Sequence, residues 1–239
     1  YVENPTEYFI QYAKQYTDFP NLVLIEENNG VYSAGRFLVA DDLGEKGNNM
    51  QWKTVVYDDN SGALAVPKGS LGFRWGEEGT WNLRMETADG QQPIEPRLSL
   101  LGVHNETAAI RLPYFDDDGR HLMERTIPVK RIVSGGKSLI VTTVYDLVLA
   151  KYGVDRGLEG ERGPDESRPF TPAWQESITG VDRDVVVQIA REFARNADET
   201  KGRSMIIVGA GINHWYNSDV IYRAILNLVV MTGCQGVNG

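Results

Sequence analysis

Apolar residues change their spacing several times along this chain, and each change predicts a different kind of element. Tyr8, Phe9, Tyr12, Ala13 and Tyr16 recur three or four residues apart, which puts them on one helix face. Asn4-Pro5-Thr6-Glu7 reads as the start of that helix, with Asn at the cap and Pro at the first helical position, and Pro20 closes it. Leu22-Val23-Leu24-Ile25 is short, continuous and apolar, and predicts a buried strand. From 52 to 133 short β-type runs alternate with turn residues: Trp52-Lys53-Thr54-Val55-Val56-Tyr57, Leu64-Ala65-Val66 and Trp81-Asn82-Leu83-Arg84-Met85, then runs at 98–101, 108–112 and 126–132. This stretch reads as a β-rich insertion.

Beyond it, Leu139-Ile140-Val141-Thr142 predicts a strand entering a helix from Val144 to Tyr152, closed by Gly153. Residues 159–169, charged and rich in Gly and Pro, predict an exposed loop. Thr171-Pro172 starts a short helix ended by Gly180. Asp182 starts another whose Val185, Val186, Ile189, Ala190, Phe193 and Ala194 form one stripe for packing. Last, Ser204-Met205-Ile206-Ile207-Val208 predicts a buried strand feeding the loop Gly209-Ala210-Gly211-Ile212-Asn213-His214-Trp215-Tyr216. A helix capped by Asn217 or Ser218 follows to Thr232, and then a second glycine loop, Gly233-Cys234-Gln235-Gly236-Val237-Asn238-Gly239. The chain thus divides into 1–51, 52–133, 134–203 and 204–239, and its fold class is α/β with mixed α+β character.

Composition narrows the function classes. With 239 residues, 41% of them hydrophobic, the chain can bury a substantial core. The net charge of -9 is spread along the chain, which argues against nucleic acid as a partner. No run is long and apolar enough to span a membrane. The start at Tyr1, without Met, and the second glycine loop cut at Gly239 suggest a piece of something larger. One cysteine and three scattered histidines, His104, His121 and His214, give no metal-ligand spacing, so any metal must be held mostly from outside the chain.

Residues 204–239 carry the candidate chemistry. A glycine loop opening into a helix suits a phosphate-bearing ligand, because glycine lets the backbone approach an anion and a helix start offers free N–H donors. Gly209-x-Gly211 alone is weak evidence, since many strand-to-helix turns use glycine only for geometry, and it lacks the third glycine of a dinucleotide fingerprint. A lone His214 beside Trp215 and Tyr216 is more often a structural histidine than a catalytic one, but it lies where α/β sheets place their ligands. Cys234 between glycines reads as a small residue in a tight turn. The carboxylates of Glu26-Glu27 and Asp116-Asp117-Asp118 read as solvated turns ahead of a cation or hydrolase site.

These residues also carry a resemblance. The segments from Val208 to Tyr216, Tyr222-Arg223-Ala224-Ile225-Leu226-Asn227-Leu228, and Thr232 to Gly239 resemble the alpha subunits of membrane-bound respiratory nitrate reductases. Those subunits belong to the molybdopterin oxidoreductases. Residues 12–20, Gly72-Phe73-Arg74-Trp75-Gly76, residues 142–147 and Thr171-Pro172-Ala173-Trp174 extend the resemblance, in the same order, over essentially the whole chain.

The resemblance implies part of a molybdopterin-binding α/β domain pair with a β-rich insertion. In that pair, 1–51 would end one α/β domain and 204–239 would begin a pterin-binding one. It implies nitrate reduction to nitrite at a molybdenum-bis(molybdopterin guanine dinucleotide) centre. Gly209, Gly211, Asn213, His214, Trp215, Gly233, Cys234, Gly236 and Gly239 would line the cofactor, with His214 near the metal as the catalytic candidate. The molybdenum-ligating aspartate and the residues holding a 4Fe-4S cluster would lie outside the chain, which on its own would bind no cofactor. Partners implied are the rest of the alpha subunit, an iron-sulfur beta subunit and a membrane haem-b gamma subunit, with nitrate as substrate. Those subunits would hold the complex on the cytoplasmic face of a membrane. Alternatives are a related molybdenum enzyme acting in nitrite oxidation or in selenate or chlorate reduction, or a non-catalytic interaction module.

Overall fold

The structure, a computed structural model, describes residues 1–69, 83–103, 105–114 and 122–236. Gly72 to Gly76, Trp81-Asn82, His104, Asp116 to Asp118, His121 and Gly239 therefore lie outside the described residues. The architecture is mixed α/β, as expected. Packing divides the chain into two compact units, Lys14–Val181 and Tyr1–Ala13 with Asp182–Gly239. This division differs from the four parts read along the sequence.

The Lys14–Val181 unit is built on a six-stranded sheet in the order β6-β5-β2-β1-β8-β7, formed by β1 (Leu22–Asn28), β2 (Val31–Phe37), β5 (Thr107–Pro113), β6 (Leu122–Pro128), β7 (Lys130–Ser134) and β8 (Lys137–Thr143). Strands from inside and outside 52–133 thus share one sheet. β2 was not expected. Asn29 and Gly30, with φ of 53° and 78°, make the tight turn that pairs it with β1, from Asn28 opposite Val31. Gly135 and Gly136, also at positive φ, join β7 to β8 in the same way. The run at 126–132 is two strands, because Pro128 has no N–H with which to continue one ladder. The run at 52–57 contributes only β3 (Val56–Asp58), which pairs with β4 (Ala63–Ala65), and Met50–Trp52 form a short 3-10 turn instead. Residues 98–101 are irregular, with Leu100 buried.

Alternate residues of the sheet feed different clusters. Ile25, Ile110, Ile127 and Ile140 meet Ala150 of α2 (Val144–Lys151), whereas Leu22, Ile132 and Val141 meet Leu38, Val55 and Leu100. Thr143 caps α2 by accepting from the Asp146 N–H at 3.0 Å. Asp146 is fully buried. It accepts from Ser99 Oγ at 2.6 Å, Leu100 N at 2.8 Å, Thr143 Oγ1 at 2.9 Å and Arg156 Nη1 at 2.8 Å, and Arg156 also pairs with buried Glu161. Burial pushes its carboxyl pKa up despite the hydrogen bonds from Ser99, Leu100 and Thr143 and the charge of Arg156. The unit ends with α3 (Pro172–Thr179), started by Thr171 and stopped at Gly180 in the left-handed conformation, as the sequence implied.

The second unit holds most of α1 (Glu7–Tyr16) with α4 (Arg183–Thr200), α5 (Ala210–Asn213) and α6 (Ser218–Met231). Helix α1 begins at Glu7, later than Asn4-Pro5 suggested, because Thr6 Oγ1 accepts from the Phe9 N–H at 3.3 Å and takes the capping role. The core of this unit is small: Phe9, Ala197 and Cys234, with Tyr8, Phe193, Ala194 and Val229 against them. Of the stripe on α4, the C-terminal half packs, while Val185 and Ile189 remain exposed. Residues 204–208 contradict the sequence reading. They are not a paired strand, and Met205 and Ile207 are 76% and 85% exposed. The apolar run that predicted burial meets no neighbouring strand among the described residues.

Candidate functional site

The candidate residues sit around the two ends of α6. Helix α4 stops where Lys201 turns left-handed and Gly202 N donates to Ala197 O at 2.7 Å. Ser204 then anchors the chain to the helix. Its hydroxyl donates to Phe193 O at 2.9 Å and accepts from Asn196 Nδ2 at 2.8 Å. Beyond residues 205–208, Gly209 starts the single turn of α5, where Ile212 N donates to Gly209 O at 3.1 Å.

This loop offers unoccupied polar groups. The N–H groups of Gly209, Ala210 and Gly211 find no acceptor among the described residues, as expected of a helix start without a side-chain cap. Gly209 has φ near -130° and Gly211 lies in the turn, so neither needs a positive φ, and a Cβ on either would meet open space. Nothing among the described residues explains these two glycines, and Gly211 costs a helical position about 1 kcal/mol relative to alanine.

Asn213, His214 and Trp215 follow and are each exposed, Trp215 being 70% exposed. Asn213 Oδ1 accepts from the Tyr222 hydroxyl, which pins its amide to α6. His214 ends the turn at φ -95° with its imidazole exposed and with no protein hydrogen bond among the described residues. Ser218 N donates to Trp215 O at 3.1 Å, linking the loop to α6; Asn217 occupies the N-cap position of α6 without the expected side-chain bond.

The second glycine loop lies at the other end of α6. At about 1.5 Å per residue, 14 residues separate the two loops by roughly 20 Å. The structure therefore does not bring Gly209 and Gly233 together. Gly233 has an internal reason to be glycine: with φ +66° it closes α6, as its N–H donates to Val230 O at 3.1 Å and Cys234 N to Val229 O at 2.9 Å. Its carbonyl accepts from Tyr8 Oη at 2.7 Å. The Cys234 side chain is buried against Phe9 and Ala197, so only its backbone can face a ligand. Gly236, at φ +76°, is exposed with open space around it.

Two features escaped the sequence reading. The Ala210 N–H completes the donor row, and its signal was only its place between two glycines. Tyr222 fixes Asn213, which follows from its position one turn into α6. Glu26 and Glu27 are exposed in β1, and no metal-binding group of His, Cys, Asp or Glu occurs among the described residues. A pocket of about 500 Å³ in the other unit, lined by Leu43, Met50, Lys53, Leu64 and Gln92, contains none of the candidate residues.

Comparison with known proteins identifies the family of the chain. A family model described as molybdopterin oxidoreductase matches residues 101–239. The chain is 55% identical over 242 residues to the nitrate reductase alpha chain of Bacillus subtilis, and 46% identical over 255 residues to the respiratory nitrate reductase 1 alpha chain of Escherichia coli. Each match covers 100% of this chain and 20% of the relative. It is also 28% identical over 205 residues to the perchlorate reductase subunit alpha of Dechloromonas aromatica, a match covering 85% of this chain and 18% of that protein. The chain spans about a fifth of the length of these curated relatives.

Proposed function

Because the chain belongs to the molybdopterin oxidoreductase family, we propose that it forms one wall of the cleft that holds a molybdenum-bis(molybdopterin guanine dinucleotide) cofactor in a nitrate-reducing alpha subunit. The observation that carries this reading is the exposed loop at 209–215. Among the described residues it has three N–H donors with no acceptor and two glycines with no neighbour or backbone angle that requires glycine, with the donors Asn213, His214 and Trp215 beside them. Such a donor set fits an anionic group rich in oxygen acceptors, and the absent Cβ atoms leave it room. The group supplies, when bound, the two-electron chemistry that takes an oxygen atom from nitrate.

The chain's own residues bind and orient. The Gly209, Ala210 and Gly211 N–H groups donate to phosphate or pterin oxygens, and Trp215 covers an apolar ring face. His214, without a hydrogen-bond partner among the described residues, donates to the bound oxyanion. Gly236 and the backbone of Cys234 serve a more distant part of the same elongated cofactor, as the length of α6 allows, and Gly233 holds that second loop in place. In the whole protein the chain would work with the rest of the alpha subunit and with iron-sulfur beta and haem-b gamma subunits, on the cytoplasmic face of a membrane. The likeness to a perchlorate reductase subunit keeps a second reading, reduction of chlorine oxyanions, as an outcome of the same experiment.

The test uses the full-length enzyme with His214→Ala, assayed for molybdenum content and for turnover of nitrate and of chlorate with a reduced viologen donor. Loss of a donor aimed at developing charge lowers turnover by roughly 100-fold, with molybdenum retained. Unchanged kinetics at unchanged cofactor content would remove His214 from the mechanism, and kcat/KM higher for chlorate than for nitrate would favour the second reading.

A further inference from the structure

The Tyr222 hydroxyl is the donor in its bond to Asn213 Oδ1, since a carbonyl oxygen carries no proton. A side-chain amide has one oxygen that accepts and one nitrogen with two N–H donors. With Oδ1 committed to α6, Asn213 has only Nδ2 left to offer, and Nδ2 makes no protein hydrogen bond among the described residues. Left alone, the amide could turn over and present oxygen as readily as nitrogen, because its terminal torsion is broad and roughly two-fold. The hydroxyl of a half-buried tyrosine one turn into α6 removes that choice for an exposed side chain in the loop before it. Stability gains little from such a bond. Both partners are within reach of water, which replaces either of them at small cost.

We infer that Tyr222 is a positioning residue: by holding Oδ1 it makes the Asn213 side chain a donor only, and so tunes the 209–215 loop to a ligand that accepts hydrogen bonds without donating any. A phosphate or a small oxyanion has that chemistry. An amide oxygen turned toward such a ligand would repel it, whereas two N–H groups attract it. The inference rests on the reading that this loop meets an anionic group, and adds to it the residue that sets the polarity of Asn213. Tyr222 itself need not touch the ligand.

The test compares Asn213→Ala, Asn213→Asp, Tyr222→Phe and the Tyr222→Phe/Asn213→Ala double variant in the full-length enzyme. Two quantities are read: KM against kcat for nitrate, and the rate at which molybdenum leaves the purified enzyme on dialysis. Faster release at unchanged KM marks a cofactor phosphate as the acceptor, and a raised KM at unchanged release marks the substrate oxyanion. In whichever quantity Asn213→Ala changes by roughly 10-fold, Tyr222→Phe should change by roughly 5-fold. The double variant should then equal Asn213→Ala alone, because Tyr222 acts through Asn213. Asn213→Asp keeps the shape and the acceptor for Tyr222 but loses the N–H pair, so it should fare at least as badly as Asn213→Ala. Native behaviour of Asn213→Asp, an unaffected Tyr222→Phe beside an impaired Asn213→Ala, or effects that multiply in the double variant would each overturn the inference. An unaffected Asn213→Ala would remove Asn213 from the proposed site and the inference with it, so the two failures are told apart.

Discussion

Gly233→Ala should unfold the packing of α1 against the end of α6 before it touches any ligand. At φ +66°, an alanine carries the left-handed penalty of about 1–2 kcal/mol. Its Cβ would also lie 2.6 Å from Tyr8 Oη, 2.9 Å from Cζ and 3.0 Å from Cε1, all inside van der Waals contact. The phenol must move. That costs the 2.7 Å bond to the Gly233 carbonyl, worth about 1 kcal/mol, and disturbs the ring contact with Phe9, whose centroid lies 5.7 Å away. The total comes to roughly 3 kcal/mol. In a Tyr8→Ala background the steric part disappears and about 1–2 kcal/mol remains, so the double-mutant cycle should show a coupling on the order of 1–2 kcal/mol. Urea unfolding followed by tryptophan fluorescence measures all four species. A Gly233→Ala cost below about 0.5 kcal/mol, or one unchanged by removing Tyr8, would refute the reasoning. The result also guards against misreading: loss of cofactor in this variant would not by itself show contact with Gly233.

Two further outcomes follow from the buried polar groups of the other unit. Burial, with a smaller contribution from the Asp146 charge, pushes the Tyr145 hydroxyl from its ordinary 10.0 up to about 12. The folded state therefore holds this proton more tightly, so its contribution is complete below pH 10 and is lost as pH rises toward 12; Tyr145→Phe should flatten that loss, on the order of 2–3 kcal/mol, in urea midpoints taken between pH 9 and 12. Asp146→Ala leaves Arg156 without one partner and the Leu100 N–H without an acceptor, and should cost about 3–5 kcal/mol. Asp146→Asn should cost less, because burial already disfavours the charge; a thermal midpoint for the Ala variant equal to that of the native chain would contradict the assigned network.

Elements whose signal is local and whose burial is supplied by this chain were legible in the sequence. Strand β8 running into the Thr143 cap, α3 between Thr171 and Gly180, and the Phe193–Ala194 end of the α4 stripe follow from spacing and capping chemistry, whereas the Val185 and Ile189 end of that stripe stays exposed. Strand β2 was missed because Val31-Tyr32-Ser33-Ala34-Gly35-Arg36-Phe37 lacks clean alternation, although Asn29-Gly30 before it is a strong hairpin signal. Residues 205–208 read as buried because hydrophobicity reports what a segment needs, and the neighbours that would satisfy it are not among the described residues. At the site, the pattern of glycines was visible but their separate reasons were not. Gly233 closes a helix against Tyr8 and the Cys234 side chain fills a core, whereas among the described residues nothing crowds Gly209 or Gly211. That distinction depends on φ and on neighbours remote in sequence.

The loop at 209–215 is proposed to face the cofactor. The most direct test is an experimental structure of the full-length, cofactor-loaded subunit, read for distances from this loop. Backbone nitrogens among Gly209, Ala210 and Gly211 should lie at about 3 Å from cofactor oxygens, with the His214 imidazole directed at the substrate position. A loaded structure in which another layer of protein separates this loop from the cofactor would contradict it.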